Sequence, residues 1–312
     1  MSTAAHAEVG PARSVLDVAR LVAADIKLSH SIFAMPFALL GAFLARTTEW
    51  PGNRAFAGML ALVVLCMVFA RTWAMLFNRL ADRKFDAENP RTVRRVLASG
   101  RMSAAQGWAA AGLAAAAFVG ATSLYWFAWS NPWPVLLSVP VLAWIAFYSL
   151  TKRFTLLCHV FLGGALAASP LAACLAVNPS SFQSVPSIWL LAAMVLLWVA
   201  GFDIIYALQD LEYDRGRGLH SVPAKLGSRG AVWVSRALHA LAFLMLLGAW
   251  ASDGRLGWIF GAAVAVVGLV LVAEHVVLAR RGKAGLDMAF FTLNGVVSCV
   301  LGVAGCVDAV LN

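Results

Sequence analysis

Charged residues are scarce in this chain. Asp, Glu, Lys and Arg make up 12% of its 312 residues, where a soluble domain carries about 25%. The five cysteines, Cys66, Cys158, Cys174, Cys299 and Cys306, all lie in apolar runs and form no CxxC pair. They read as small buried side chains. The six histidines show no metal-ligand spacing, and His239 and His275 are expected to be satisfied inside a bundle. The roughly ten-residue alternating segments of a membrane β-barrel are missing. Residues 1–12 lack the charged start and compact apolar core of a signal peptide. They read as a disordered tail rich in Ala, Gly and Pro.

Long apolar runs are abundant. The chain is 62% hydrophobic, and runs near the length needed to cross about 30 Å of hydrocarbon recur along it. Nine spans are expected, at 28–46, 55–77, 104–126, 134–150, 155–177, 187–208, 231–251, 256–278 and 287–310. The fold class is therefore an all-α polytopic membrane protein, nine transmembrane helices in a bundle with cytoplasmic-side lid loops. Residues 1–27 form a tail and an interfacial helix, and 28–312 a single nine-helix unit. Within 14–27, Arg13, Asp17, Arg20 and Lys27 mark a polar stripe opposite Val15, Leu16, Ala19, Val22 and Ile26. That pattern suits a helix lying in the membrane interface. Pro36 is expected to kink the first span.

The net charge of +9 is mostly topology and implies no nucleic-acid partner. Of the 24 Lys and Arg, 19 fall in the amino-terminal segment and in the connections after spans 2, 4, 6 and 8. The opposite side has only Arg46, Arg54 and Arg255. The positive-inside rule puts the richer connections in the cytoplasm of an integral cell (inner) membrane protein. Trp126, Trp129 and Trp133 then form an aromatic belt on the outer side. Arg236 and Glu274 are candidates for an ion pair across helices.

The chemistry concentrates at two helix ends. Asn78, Asp82 and Asp86 stand at i, i+4 and i+8 where the second span meets charge, and share a face if that helix continues. A lone DxxxD is common at solvated helix ends. A second copy changes its meaning: Tyr206, Asp210 and Asp214 repeat the spacing at the end of span 6. Lid-sized polar loops follow both. Asp203 lies a turn deeper and Arg71 about two turns before Asn78, and both are costly in lipid unless they face a polar cavity. The turn after span 4 is short and carries Lys152 and Arg153.

Two acidic clusters on one membrane face, with cations around them, fit a diphosphate held by magnesium. Mg2+ takes oxygen ligands, usually one or two carboxylates plus substrate phosphates. The metals, with Lys152, Arg95 or Arg71, would neutralise charge as a diphosphate departs. An apolar bundle would hold an isoprenoid tail and keep water from a carbocation. The competing class is an ion-coupled transporter, which would place its broken helices and polar residues near the midplane.

These motifs resemble the paired aspartate-rich motifs of the UbiA superfamily of intramembrane aromatic prenyltransferases. Lys27–Phe37, Asn89-Pro-Arg-Thr92 with Arg95, Thr151-Lys-Arg153 and Asp203–Pro223 extend the resemblance. It implies Mg2+-dependent transfer of a polyprenyl group from polyprenyl diphosphate to an aromatic acid. The acceptor would be 4-hydroxybenzoate or a dihydroxynaphthoate, in ubiquinone or menaquinone biosynthesis. By the same resemblance Asp82, Asp86, Asp210 and Asp214 bind the metal. Asn78, Lys152, Arg153 and Arg95 bind diphosphate, and Asp203, Tyr206 and Arg71 are catalytic. The Asn78-Arg79 pair departs from the Asn-Asp of many relatives. It is similar to a bacterial 4-hydroxybenzoate polyprenyltransferase-like subgroup that overlaps with enzymes of the futalosine menaquinone route. Ala98 stands where those relatives often carry proline. A different acceptor on the same scaffold, such as haem, chlorophyllide or a glycerophospholipid precursor, is the alternative within the family.

Overall fold

A computed structural model describes residues 14–26, 33–47, 50–286 and 288–312, without the side chains of 283, 284 and 288–290. The tail 1–13 and the 27–32 part of the Lys27–Phe37 segment lie outside the described residues. Among those described, every regular element is helical. Helix α1, Val15–Ile26, matches the expected amphipathic segment. Its Val18, Leu21 and Val22 pack beside Leu76, Val96 and Leu97.

Among the described residues, eight helices are long and apolar enough to cross a membrane, as expected of a polytopic membrane protein. The first expected span instead coincides with α2, Met35–Ala45, an apolar helix of 11 residues. Pro36 sits in its first turn, where the missing N–H costs nothing. It begins the described helix and does not kink its middle. The chain continues through α3 (Asn53–Ala81), α4 (Arg83–Glu88), α5 (Ala104–Trp129), α6 (Trp133–Thr151) and α7 (Cys158–Val177). The short α8 (Ser181–Ser184), then α9 (Pro186–Tyr206), α10 (Leu211–Gly216), α11 (Val222–Ser252), α12 (Trp258–Arg281) and α13 (Asn294–Leu311) complete it. Gly227, at φ 72°, breaks α11 near its start, a conformation glycine adopts without steric cost.

Helix α9 is the axis of the bundle. Met194, Val195, Trp198, Val199 and Ala200 on it are fully buried. A helix that is apolar on all sides and buried on all sides belongs at the centre. It is flanked by α7 and α11. Membrane helices gain no hydrophobic drive from one another, so small residues are needed where backbones approach. A methyl on Gly163 would collide with the Leu196 carbonyl of α9, and one on Gly41 with the backbone of Pro170. The outer surface stays apolar: Leu113, Phe127, Leu269 and Val303 are more than half exposed, as lipid-facing side chains must be.

Helix ends separate into two faces. One carries Trp126 and Trp133, both exposed, together with Asp253 and Arg255. The other gathers the two aspartate motifs, the 152–153 turn and the segments 83–103 and 207–221. The expected Arg236–Glu274 pair does not form. Arg236 stacks on Trp233, 5.0 Å from the ring centroid. Glu274 faces Asn294 at 3.4 Å and His239 at 3.7 Å. The two residues lie on different helices whose facing sides put Glu274 inside and Arg236 on the tryptophan. His239 and His275 meet inside the bundle at 3.2 Å, as expected.

Candidate active site

Both motifs break their helices at the middle aspartate. Helix α3 ends at Ala81 and Asp82 takes φ −95°, ψ 9°. Asp210 takes nearly the same conformation, φ −99°, ψ 7°, after a 3-10 turn at Ala207–Asp210. The expected continuous helices are therefore absent. The spacing still works in the first motif because hydrogen bonding of helical type spans the break. Asp82 N donates to the Asn78 carbonyl at 2.9 Å, and Asp86 N to the Asp82 carbonyl at 2.7 Å. Both triads line one cleft of about 340 Å³.

Each of the four motif carboxylates meets one cation. Asp82 accepts from Arg153 at 3.0 Å and Asp86 from Arg95 at 2.7 Å. Asp210 accepts from Arg91 at 2.5 and 2.9 Å, and Asp214 from Lys152 at 2.8 Å. The pattern is two-fold. The turn after α6 sends Arg153 to the first motif and Lys152 to the second. The segment after α4 sends Arg95 to the first and Arg91 to the second. The two motifs are also tied directly: the Tyr213 hydroxyl donates to the Phe85 carbonyl at 2.7 Å, and Arg217 pairs with Glu88 at 2.5 Å.

Burial and charge set the local electrostatics. Burial pushes the Asp82 carboxyl up, and Arg153 only partly opposes it. For Lys152, burial alone would lower the ammonium; the Asp214 charge outweighs it and holds the group above its ordinary value. Arg91 is likewise lowered by burial but raised on balance by its bonds to Asp210. Burial wins at Arg95, which is lowered despite Asp86. The cations stay charged beside acids that are withdrawn from water.

Asn78 is fixed in one orientation. Arg79 donates to its Oδ1 at 3.1 Å, so its amide nitrogen faces Asp82 Oδ2, at 3.3 Å. Arg79 is in turn held by Asp25 of α1 at 3.2 Å. The departure from Asn-Asp thus has a structural partner in the interfacial helix.

Of the residues the sequence singles out, ten line this cleft: Asn78, Asp82, Asp86, Arg95, Lys152, Arg153, Asp203, Tyr206, Asp210 and Asp214. Arg71 does not. It lines a second, apolar cavity of about 470 Å³ with Val63, Phe118, Ile145, Leu166 and Phe202. Seven residues along a helix put it two turns deeper than Asn78, below the carboxylates. Met75, Tyr148 and Leu162 belong to both walls, so the polar cleft and the apolar cavity adjoin. Three contributors were given no role from the sequence. Asn89 and Arg91 stand in the Asn89-Pro-Arg-Thr92 motif, with Arg91 four residues before Arg95. Asn89 donates to Asp210 at 3.2 Å. His159, 2.6 Å from Asp203, had no local signal, because its partner lies 44 residues away.

The donor set can be tested for a metal. Among the described residues no three His, Cys, Asp or Glu side chains converge closely enough to hold an ion alone. Carboxylates arriving in pairs, with oxygen as the only donor atom, suit Mg2+ that is shared with substrate phosphates.

Membrane-length helices around a charge-paired cleft beside an apolar chamber mark an integral membrane protein. The chain belongs to the UbiA prenyltransferase family, whose sequence model matches residues 34–296, and is a prenyl transferase. It is 32% identical over 254 residues to the 4-hydroxybenzoate octaprenyltransferase of Salmonella paratyphi B, covering 79% of this chain and 83% of that one. The structure of a UbiA homologue from Aeropyrum pernix K1 superposes with a TM-score of 0.79 at 33% identity, covering 90% of this chain and 98% of that one. A UbiA homologue from Archaeoglobus fulgidus bound to GPP and Mg2+ shares the fold at a TM-score of 0.66 and 15% identity, covering 93% of this chain and 99% of that one.

Proposed function

We propose that the protein transfers a polyprenyl group from polyprenyl diphosphate to an aromatic acid, 4-hydroxybenzoate or a dihydroxynaphthoate, in ubiquinone or menaquinone biosynthesis. The observation that carries this reading is the adjacency of two cavities that share Met75, Tyr148 and Leu162: a carboxylate cleft for a metal-bound diphosphate beside an apolar chamber for an isoprenoid tail. The Salmonella relatives named 4-hydroxybenzoate octaprenyltransferases support the acceptor class. The A. fulgidus homologues bound to GPP or DMAPP with Mg2+ support the donor and the metal.

Asp82 and Asp86 on one side, Asp210 and Asp214 on the other, would hold Mg2+. When bound, Mg2+ neutralises the diphosphate and makes it a better leaving group. The protein's own groups do the rest. Lys152, Arg153, Arg91 and Arg95 are already within reach of the carboxylates. They exchange those partners for the diphosphate oxygens and offset the charge that builds on departure. The C–O bond of the allylic diphosphate breaks and its electron pair leaves with the oxygen. The allylic carbon then bonds to a ring carbon of the acceptor, which loses its proton to Asp203. Arg71 and Tyr206 stabilise the cation and acceptor from the walls, and the apolar chamber keeps water away from the carbocation. Residues 1–27 serve as tail and interfacial helix, and 28–312 as a single nine-helix domain in the cell (inner) membrane. The connections 79–103 and 220–227 act as lids at the cytoplasmic face.

Membranes containing the protein, incubated with radiolabelled polyprenyl diphosphate and a panel of aromatic acids, are expected to label one acid, and excess chelator to stop the reaction. Labelling of none, or full rate in chelator, overturns the reading. Cysteines placed near residues 90 and 220 should react from the cytoplasmic side; periplasmic reaction would reverse the topology.

A further inference from the structure

Four carboxylates of the cleft face a Lys or Arg; the fifth does not share that kind of partner. Asp203 on α9 has its Oδ2 2.6 Å from His159 Nδ1. The other ring nitrogen settles the state of that histidine. The backbone N–H of Val222 points at His159 Nε2, at 3.3 Å. A backbone amide can only donate, so Nε2 presents its lone pair and Nδ1 carries the proton. In that tautomer His159 Nδ1 donates to Asp203 Oδ2. Its side chain is 3% exposed, whereas that of Asp203 is 23% exposed, and both line the cleft.

The neighbours show what the ring is fastened to. Ser221, immediately before Val222, donates to Asp214 Oδ2 at 3.0 Å. His220 N donates to the Lys152 carbonyl at 2.7 Å. Residues 220–222 thus touch the basic turn, the second motif and, through His159, Asp203.

We propose that His159 is a positioning residue: it holds the Asp203 carboxylate in one orientation at the cleft wall and ties it to the 220–222 segment, aligning the acceptor with the diphosphate. This rests on the acceptor reading given above. It assigns the histidine a hydrogen-bonding task and no proton transfer of its own.

Glutamine distinguishes the two tasks. Its amide nitrogen can donate to Asp203 and its carbonyl can accept from Val222, but it does not titrate. His159→Ala is expected to lower kcat/KM for the aromatic acid about tenfold or more, the scale of a lost hydrogen bond to a charged group. The KM for polyprenyl diphosphate should stay within about twofold. His159→Gln is expected to recover most of the loss and keep the wild-type pH profile. Wild-type acceptor kinetics in His159→Ala would overturn the proposal. So would a glutamine variant that is folded, by its melting temperature in detergent, yet as slow as alanine or altered in pH profile. If alanine does not fold, the glutamine variant alone decides on the same two criteria. A wild-type protein that labels no aromatic acid would overturn the acceptor reading, and this proposal with it.

Discussion

The two ends of the bundle treat charge in opposite ways. At the tryptophan-bearing end, Asp253 and Arg255 are two residues apart and pair at 2.8 Å. Arg255 also donates to the Leu44 carbonyl at 2.7 Å, and Ser187 to Asp253 at 2.7 Å. Every partner there is a neighbouring helix end, and the knot closes the bundle. At the motif end, Asp210 draws partners from 119 and 121 residues away, and the pairs surround a cleft instead of filling it. Lys152, Arg91 and Arg153 keep roughly a third of their side-chain surface exposed. A pair that seals a helix end is finished structure. A pair facing an open cleft can trade partners when a polyanion and its metals arrive. The difference marks the functional end without reference to any relative.

Breaking the motif end should therefore remove activity and spare the fold. Asp82→Asn or Asp210→Asn is expected to lower prenyl transfer by about a thousandfold or more, through loss of the metal's charge neutralisation. Membrane insertion and melting temperature should remain close to wild type. Turnover at the wild-type rate in either variant would sink the two-sided carboxylate clamp. A smaller loss is expected from Arg91→Ala. It removes one bidentate partner of Asp210 and one diphosphate donor, a contribution of about 1.5–3 kcal/mol. The KM for polyprenyl diphosphate should rise about 10- to 100-fold, with the KM for the acid little changed. An effect confined to the acid would move Arg91 to the acceptor side.

The sequence carried much of this in its spacing. Apolar runs located eight membrane-length helices because lipid imposes their length whatever the packing. The repeated i, i+4, i+8 acids located the cleft because one helical face is a local property. What it could not carry depends on partners far along the chain. The helix breaks at Asp82 and Asp210 follow from tertiary packing, as no proline or glycine stands at either position. Arg71 was expected two turns below Asn78 in a polar cavity; the depth holds, but sequence does not give which cavity a side chain enters, and the one it lines is mostly apolar. His159 was missed because a lone histidine at a helix start gains meaning only from Asp203 and Val222. Arg91 lies within the Asn89-Pro-Arg-Thr92 motif but was given no role, because its partner Asp210 lies 119 residues away.

The sharpest control for the comparison lies at the closed end. Burial alone would push the Asp253 carboxyl up, but its bonds from Arg255 and Ser187 outweigh that and hold it below the ordinary carboxylate range. A carboxyl lowered in the folded state contributes stability above its unfolded value, about 3.9, and loses it as pH falls through the folded value. The contribution is thus complete at pH 7 and constant from about pH 8 to 5. Arg255→Gln leaves Asp253 in place without its cation and frees the Leu44 carbonyl. It should lower stability by about 1–3 kcal/mol, read as a melting temperature in detergent, equally at pH 8 and pH 6. Prenyl transfer by the protein that remains folded should be unchanged, since neither Asp253 nor Arg255 lines the cleft or the apolar cavity. A variant as stable as wild type would show that the knot is only an exposed surface pair. A variant stable but slow would mean that the closed end is coupled to the cleft, and the division between the two ends would fail.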